Sequence, residues 1–345
     1  MKNNWNSFLF ICLAFVAASC ETDLKVNADY TRTAVVYGLL EKQDTNHLIK
    51  ITKTFLGDGN AYDFAQIADS SKIPNLVAEI QAWKGNALKK KYPLTDTVIN
   101  GKESGSFYSG SQFMYYFREP NLDPTMEYKL SFYLDGKEIS ASTPVLPNYR
   151  FKSPAPGSAI EMIDGDIRTS QVLNNHKQKI VIGPVESGNP ANLVAETEFR
   201  GTFVYTEVYK DGSSAQKSFS FDMGKTNTLE RFYEASGFWS ALESSIKPDP
   251  NVERRSANTF NIEAISYPED FKTFLAVNNP VSGVVQERPE YSNINNGLGL
   301  FSSRTSAFYS KALSSNSEAY LIRADRFSGL NFCSTTYTDP GISCK

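Results

Sequence analysis

The sequence predicts a mainly β protein with two immunoglobulin- or fibronectin-III-like sandwich domains, the second of which carries a short helical insertion. Three observations predict this fold. Apolar and polar residues alternate in many short segments, which is the pattern of strands with one buried face. Turn residues separate these segments at short intervals. The length of 345 residues exceeds one typical domain and suits two.

The composition excludes several classes of function. The chain is 41% apolar and 21% charged, so it can bury a core. Its 35 basic and 38 acidic residues give a net charge of -3, whereas nucleic-acid binders usually have a dominant basic face. Two histidines and four cysteines leave few groups for metal sites or nucleophiles. We expect a protein that is not an enzyme, with no nucleic-acid partner, no metal and no cofactor.

The N-terminal segment predicts export. Its apolar stretch covers residues 8–18, whereas a bilayer span needs about 20 residues, so residues 1–19 are predicted to be a signal peptide. The small residues 17–19 before Cys20 resemble the lipobox of bacterial lipoproteins, in which the signal is cleaved before a cysteine that is then diacylated. The alternative is ordinary cleavage near Ala18, which would leave an exposed thiol at Cys20.

The predicted lipid on Cys20 implies a location for the protein. Residues 20–30 then form a lipidated tether, and two or more acyl chains hold a soluble body stably on a membrane. The acidic residues Glu21 and Asp23 resemble the signal that carries lipoproteins of the Bacteroidota to the outer face of the outer membrane. We therefore expect a lipid-anchored outer-membrane protein on the extracellular face, with anchoring that faces the periplasm as the alternative.

The first sandwich is predicted for residues 31–147. Asp135-Gly136 is a strong hairpin signal between its last two strands. The segment 122–130 resembles the tyrosine corner of fibronectin type III domains, so the hydroxyl of Tyr128 should bond to the backbone of the preceding turn. Four prolines between 144 and 156 mark the boundary, because proline cannot donate to a strand ladder. The predicted strands are Thr33–Leu40, His47–Phe55, Leu76–Trp83, Phe113–Arg118, Met126–Tyr133 and Lys137–Thr143.

The second domain is predicted for residues 148–345. Apolar residues recur at three and four positions from Leu229 to Ile246, which is helical spacing, and a second short helix should follow Pro268. These two segments define the helical insertion, at about 228–278. The predicted strands are Lys179–Val185, Thr197–Tyr209, Gln216–Met223, Thr259–Ser266, Leu298–Tyr309 and Ala319–Ala324.

The remaining cysteines predict a disulfide. Cys12 leaves with the signal peptide and Cys20 carries lipid, so Cys333 and Cys344 form the pair that should oxidise outside the cytoplasm. Closing so short a loop contributes on the order of 3 kcal/mol in the chain-entropy model. A metal site at these two cysteines would need further ligands.

Motifs for catalysis and metal binding are incomplete. Met223–Thr226 resembles the end of a phosphate loop, but the glycine required upstream is missing, so it is interpreted as a strand end. His47 and His176 fall in separate predicted domains and are interpreted as surface or turn histidines. Asp58–Asp63 and Glu161–Asp166 supply oxygens for calcium but lack the bidentate glutamate of a calcium loop, and Asp-Gly pairs are common in turns.

Two segments are candidate binding loops. Residues 104–111 combine small residues with Phe107 and Tyr108, as antibody loops do; the alternative is a hairpin loop whose aromatic rings fold back onto the sandwich. Residues 288–301 contain glycines that permit unusual backbone angles; the alternative is a tight turn that leads into a strand. The candidate residues of this second loop are Asn293, Asn296, Gly297 and Gly299.

Two motifs resemble a known family. The segment Ser292–Phe301 after a Phe- and Leu-rich helix, together with the early strand Val35–Gly38, is similar to a Bacteroidota lipoprotein family of unknown function, the domain of unknown function 4249. The resemblance implies a surface lipoprotein that accompanies a TonB-dependent outer-membrane transporter. It implies no catalytic residues.

Three hypotheses of function follow. The favoured one is a non-enzymatic outer-membrane lipoprotein that binds a TonB-dependent β-barrel transporter or its cargo. An adhesion or carbohydrate-binding module is the alternative, favoured if exposed aromatic residues such as Tyr108 or Tyr116 form a flat platform. A hydrolase would require carboxylates such as Asp164 and Glu161 to meet in a pocket with shifted pKa values.

Overall fold

The computed structural model describes residues 31–55, 60–67, 69–101, 111–164, 176–186, 193–278, 290–338 and 341–344. The signal peptide 1–19, the tether with Cys20, and the loop residues Phe107 and Tyr108 lie outside the described residues.

The described part of the chain is mainly β, as predicted. Among the described residues, none of the helices has the length and apolar composition of a transmembrane span. The strands are β1 (Ala34–Glu41), β2 (Asn46–Lys53), β3 (Ala78–Lys84), β4 (Ala87–Pro93), β5 (Thr95–Asn100), β6 (Ser111–Arg118), β7 (Glu127–Leu134), β8 (Lys137–Pro144), β9 (Tyr149–Ser153), β10 (Lys177–Pro184), β11 (Glu196–Tyr209), β12 (Ser214–Thr226), β13 (Glu230–Glu234), β14 (Val252–Tyr267) and β15 (Gly297–Lys311). The helices are α1 (Ala61–Ala65), α2 (Ala235–Ser245), α3 (Glu269–Asn278), α4 (Ser315–Arg323) and a 3-10 helix (Asp325–Leu330).

The strands form three sheets. An eight-stranded sheet has the order β12-β11-β14-β15-β1-β2-β6-β5, a four-stranded sheet the order β4-β3-β7-β8, and a three-stranded sheet the order β13-β10-β9. The hairpin between β7 and β8 turns at Asp135 and Gly136, both of which have positive φ, as the sequence predicts. Several neighbours in the large sheet are far apart in sequence, so tertiary contacts rather than hairpins set its order.

The first sandwich core lies between the four-stranded sheet and one half of the large sheet. Alternate residues of β1 and β2, such as Val36 and Ile51, face alternate residues of β3 and β7, such as Ile80 and Leu130, in one buried cluster. The alternation in the sequence therefore corresponds to one buried face on each sheet.

The second core lies between the other half of the large sheet and the three-stranded sheet with α2 and α4. Aromatic rings dominate it: the ring of Phe238 lies 5.4 Å from that of Phe203 and 5.1 Å from that of Phe260. Trp239 is fully buried, and its indole Nε1 donates to the carbonyl of Met162 at 3.0 Å. Helix α2 thus packs on strands β11 and β14 of the large sheet and is part of the second core.

Strand β15 belongs to both halves. Its first part pairs in parallel with β1, from Gly297 opposite Ala34 to Arg304 opposite Glu41, and its last part pairs antiparallel with β14. Ile294 and Phe301 are buried in the first core, although both lie beyond the expected boundary at residue 147. One continuous sheet therefore runs through both packed units.

The helical insertion expected at 228–278 begins later than predicted, although its two helices and the strand between them, which includes the predicted Thr259–Ser266, are present. Residues 230–234 form β13, which pairs with β10, and Phe232 is exposed. The helix begins only at Ala235. A 16-residue strand, β14, separates α2 from α3. The apolar spacing of Leu229 and Phe232 fits a helix, but β10 pairs with the backbone of this segment and makes it a strand.

The expected strand Ala319–Ala324 is also wrong, because these residues lie in and after helix α4. The Ser314 side chain accepts from the Ser317 amide and caps the helix. Ala319, Tyr320 and Leu321 are all buried, so a short apolar run here lacks the one-sided pattern that distinguishes a strand from a helix.

The predicted tyrosine corner is confirmed. The backbone amide of Asp123 donates to the hydroxyl of Tyr128 at 2.8 Å. Tyr128 is buried, and burial raises the pKa of its phenol. The bond ties the turn before β7 to the first core.

The C-terminal tail is held by a disulfide and a buried ion pair. The structure contains the predicted Cys333–Cys344 disulfide. The buried Arg255 donates to Glu207 Oε1 at 2.8 Å and to the Leu330 carbonyl at 2.7 Å. The Cys333 amide donates to the Arg255 carbonyl, so the tail is attached to β14 beside the disulfide.

We expect Tyr128→Phe to lower the free energy of unfolding by about 1 to 2 kcal/mol, because the Asp123 amide loses its buried acceptor. Urea denaturation measures this. Tyr133→Phe, at a residue that is 67% exposed, is the control and should change stability little. Equal effects of the two substitutions would contradict the role of the corner.

Candidate functional site

The candidate loop at 288–301 has a structural role. The side-chain amide of Asn293 donates to the Phe301 carbonyl at 2.8 Å, and its oxygen accepts from the Phe301 amide at 2.9 Å. Asn296 has a φ of 57° and donates to the Glu138 carbonyl at 2.9 Å. These side chains are therefore used within the protein, and the segment is the tight turn into a strand that was the alternative to a binding loop.

The two glycines of this turn permit close packing. A Cβ on Gly297 would lie 2.8 Å from Cγ2 of Ile294. Gly299 has a φ of 112°, and a Cβ there would lie 2.0 Å from the carbonyl oxygen of Val36. Glycine at 299 is thus required both by the backbone conformation and by the approach of β1.

The structure contradicts the expected setting of His47, whereas His176 lies outside the strands and helices, just before β10. His47 is buried rather than on the surface: its Nε2 lies 2.9 Å from the Glu119 carbonyl, and its ring stacks on Phe117. His176 Nδ1 lies 2.5 Å from Asp164 Oδ1 and is half-buried. One nitrogen of each ring therefore contacts a protein group, whereas His47 Nδ1 and His176 Nε2 have no hydrogen-bond partner among the described residues.

The candidate carboxylates have separate partners. Glu161 accepts from Ser314 and Ser317, whereas Asp164 contacts His176. Asp58, Gly59, Gly165 and Asp166 of the two calcium candidates lie outside the described residues. Within the described ranges no three metal-ligating side chains come together. Met223–Thr226 forms the end of β12, as interpreted from the sequence.

A cavity of about 500 Å³ opens where β2 and β6 separate. The two strands pair only from Asn46–Ile49 with Tyr115–Arg118. Beyond this point the amide of Lys53 donates to the Ser71 carbonyl, so a loop takes the place of the neighbouring strand. Residues of both strands, of β1 and of the loop line the resulting space. We call it the β2–β6 cavity.

The walls of the β2–β6 cavity are partly apolar and partly aromatic. Val35 and Tyr37 of β1 lie on the face opposite the first core, opposite Thr52 and Lys50 in register. Phe113 and Tyr115 of β6 line the other side. Burial raises the pKa of Tyr115, and the charge of Asp96 raises it further. These walls can hold a planar or apolar group of a ligand.

Three lysines supply the charge of the β2–β6 cavity. The amine of Lys50 donates to the Gln112 side chain at 3.2 Å, and that of Lys53 donates to the Ser70 carbonyl at 2.6 Å. The amine of Lys72 lies 4.1 Å from the centre of the Phe113 ring, in a cation–π contact. Among the described lining residues there is no Asp, Glu, His or Cys. The arrangement suits binding rather than acid–base or nucleophilic chemistry.

Sequence reasoning did not identify the residues of the β2–β6 cavity. The strand pattern from His47 to Phe55 predicts β2, but lysines on a half-buried strand are ordinary surface residues. Lys72 and Phe113 are distant in sequence, so no local pattern predicts their contact. Only the fold brings them together.

A second, shallower groove lies on the four-stranded sheet. It has a volume of about 350 Å³ and is lined by Trp83, Asn86, Glu127, Lys129 and Ser142, among others. Of the two aromatic residues named for a platform, Tyr116 is half-buried in β6 opposite Leu48, and Tyr108 lies outside the described residues. We call this surface the Trp83 groove.

Glu318 is a buried carboxyl near the C-terminal tail. It is 2% exposed, and its Oε1 has no hydrogen-bond partner within the described part of the chain. Burial raises the pKa of this carboxyl to about 7, and a hydrogen bond with Ser334 offsets part of the effect. The group therefore titrates near neutral pH in the folded protein.

Comparisons with known proteins do not identify a relative. No family model and no curated protein match the chain. The solved C-terminal globular domain of an oligosaccharyltransferase from Pyrococcus abyssi aligns at 10% identity with a TM-score of 0.23, covering 68% of this chain and 47% of that one. Such a low TM-score carries no argument. The resemblance to the Bacteroidota lipoprotein family stays a prediction.

We expect Gly299→Ala to lower the free energy of unfolding by on the order of 3 to 5 kcal/mol, because strain at positive φ adds to a clash with the Val36 carbonyl. Gly212→Ala is the control, since φ is also positive there and a Cβ would meet no neighbouring atom. Denaturant unfolding of both variants measures the difference. Equal losses would show that the close approach of β1 is unimportant.

We expect Glu318→Gln to remove a pH dependence of stability. Because the pKa of Glu318 is raised in the folded protein, the folded state binds more protons than the unfolded state between about pH 4.5 and 7. The unfolding free energy therefore falls as pH rises through this window, by on the order of 3 kcal/mol.

Urea unfolding at pH 5 and pH 8 measures the Glu318 effect as the difference between wild type and Glu318→Gln. Glu253→Gln, at an exposed residue, is the control and should follow the wild type at both pH values. If Glu318→Gln keeps the full fall in stability, the burial of this carboxyl is not its cause.

Proposed function

We propose that this protein is an outer-membrane lipoprotein, anchored through Cys20 at the cell surface, that acts as a non-enzymatic binding or accessory subunit of a TonB-dependent transporter. The observation that carries the proposal is the β2–β6 cavity. Its volume of about 500 Å³ falls in the range of pockets that hold small molecules. Its lining favours capture of a ligand over its conversion.

The location of the cavity agrees with the proposed anchor. Strand β1, which lines it, begins at Ala34, which is 14 residues after Cys20 (34 minus 20). Such a length of chain reaches at most about 50 Å. An acyl anchor on Cys20 would therefore be joined to the body of the protein through the strand that lines the cavity.

The Trp83 groove favours a second candidate function, an adhesion or carbohydrate-binding module. Glycan sites combine an aromatic ring with side chains that donate and accept hydrogen bonds, and Trp83, Asn86 and Glu127 supply both. The indole Nε1 of Trp83 donates to Gln81 at 3.1 Å, which holds the ring in place. A glycan ligand would then bind to the four-stranded sheet.

Expression of the tagged full chain in a Bacteroidota host tests the anchor and the partner together. We expect mass spectrometry to find a diacylated Cys20 and extraction in mild detergent to recover a stoichiometric β-barrel. Cys20→Ser should abolish the acylation, whereas Cys12→Ser, which keeps Cys20, should not.

Two outcomes would contradict the proposed function. An unacylated mature terminus would remove the anchor. A monomer without a barrel, which binds glycans and loses them in Trp83→Ala, would favour the carbohydrate-binding module instead.

A further inference from the structure

We propose that the β2–β6 cavity binds an amphipathic organic anion, a small molecule with an aromatic or apolar body and a carboxylate or sulfonate group. The inference rests on the proposed binding function and specifies its ligand class. Three features carry it: the balance of charge, the nature of the walls and the exposure of apolar side chains at the cavity.

Among its described lining residues the cavity has three lysines and no carboxylate. Several other lysine amines lie within 4.0 Å of a carboxylate, as Lys91 does with Glu79 at 2.8 Å and Lys217 with Glu207 at 2.6 Å. Lys53 and Lys72 instead contact a neutral carbonyl and an aromatic ring. Across the described ranges, no carboxylate lies within 4.0 Å of either amine. An anion in the cavity would give both amines a partner of opposite charge.

The third amine, that of Lys50, projects from the other face of β2 than Lys53, because side chains alternate along a strand. Lys50 lies opposite Tyr37 in the β1–β2 register, so its ammonium and an aromatic ring share one face of the sheet. The lysine ammonium is a compact positive charge with three N–H donors, so it can bind anions of different shapes. The side-chain amide of Gln112, which holds the Lys50 amine, adds a neutral polar group to the lining.

The walls select a ligand with an apolar body. Tyr37 is 46% exposed and Ile67 is 52% exposed, although both are large hydrophobic residues that line the cavity. Covering them with an aromatic or aliphatic group would bury apolar surface. A bare inorganic anion would satisfy the lysines but leave this surface exposed to water.

A matched pair of ligands tests the charge requirement. The protein is the mature chain, residues 20–345, expressed without the signal peptide and with Cys20→Ser, so neither an acyl chain nor the apolar segment requires detergent. Isothermal titration calorimetry compares naphthalene-2-sulfonate with the uncharged naphthalene-2-sulfonamide. We expect one site per chain for the sulfonate and binding at least tenfold weaker for the sulfonamide.

A matched pair of variants tests the location. Lys53→Gln with Lys72→Gln should weaken sulfonate binding at least tenfold. Lys89→Gln with Lys137→Gln removes the same charge from exposed positions of the four-stranded sheet and should leave the affinity unchanged. Circular dichroism checks that both double variants are folded, and Lys72→Gln alone replaces the first pair if it is not.

The results separate this inference from the proposed function. Absence of sulfonate binding, equal affinity for the sulfonamide, or unchanged affinity in the Lys53 and Lys72 variant would overturn the anion site. None of these results bears on acylation of Cys20 or on co-purification of a β-barrel. Sulfonate binding without a barrel partner would support the anion site and count against the transporter role.

Discussion

Parallel pairing between β1 and β15 is the interaction on which the rest of the structure depends. It places a strand from the start of the described chain beside one near its end, over the registers from Ala34↔Gly297 to Glu41↔Arg304. Because β15 continues into antiparallel pairing with β14, the sheet is continuous and both cores share it. Gly299 permits the approach, since only glycine fits beside the Val36 carbonyl.

The β2–β6 cavity is a consequence of how this sheet ends. Strand β2 is held on one side by β1, but β6 leaves its other side after Ile49. A loop through Ser71 satisfies the Lys53 amide, so the backbone polar group is paired although the strand ladder has ended. The gap exposes side chains from both faces of the sheet, which explains why lysines and aromatic rings line one space.

Local patterns in the sequence predicted the features that depend on neighbouring residues. The Asp135-Gly136 hairpin, the Tyr128 corner and the Cys333–Cys344 disulfide each join groups close in sequence, and all three are present. The prediction of a helix at residues 230–234 was wrong, because pairing with β10, about 50 residues away in sequence, overrides the helical spacing of the apolar residues. Burial of α4 on several sides likewise concealed its helical pattern.

The sequence by itself determined the β class, most strand positions and the turn that leads into β15, because alternation, Asp-Gly pairs and glycines act within a few residues. It also predicts the signal peptide and the lipid on Cys20. Only the tertiary structure decided the order of the large sheet, the structural use of Asn293 and the position of Lys72 beside Phe113. Contacts between residues far apart in sequence set these features, and such contacts leave no periodic pattern in a single chain.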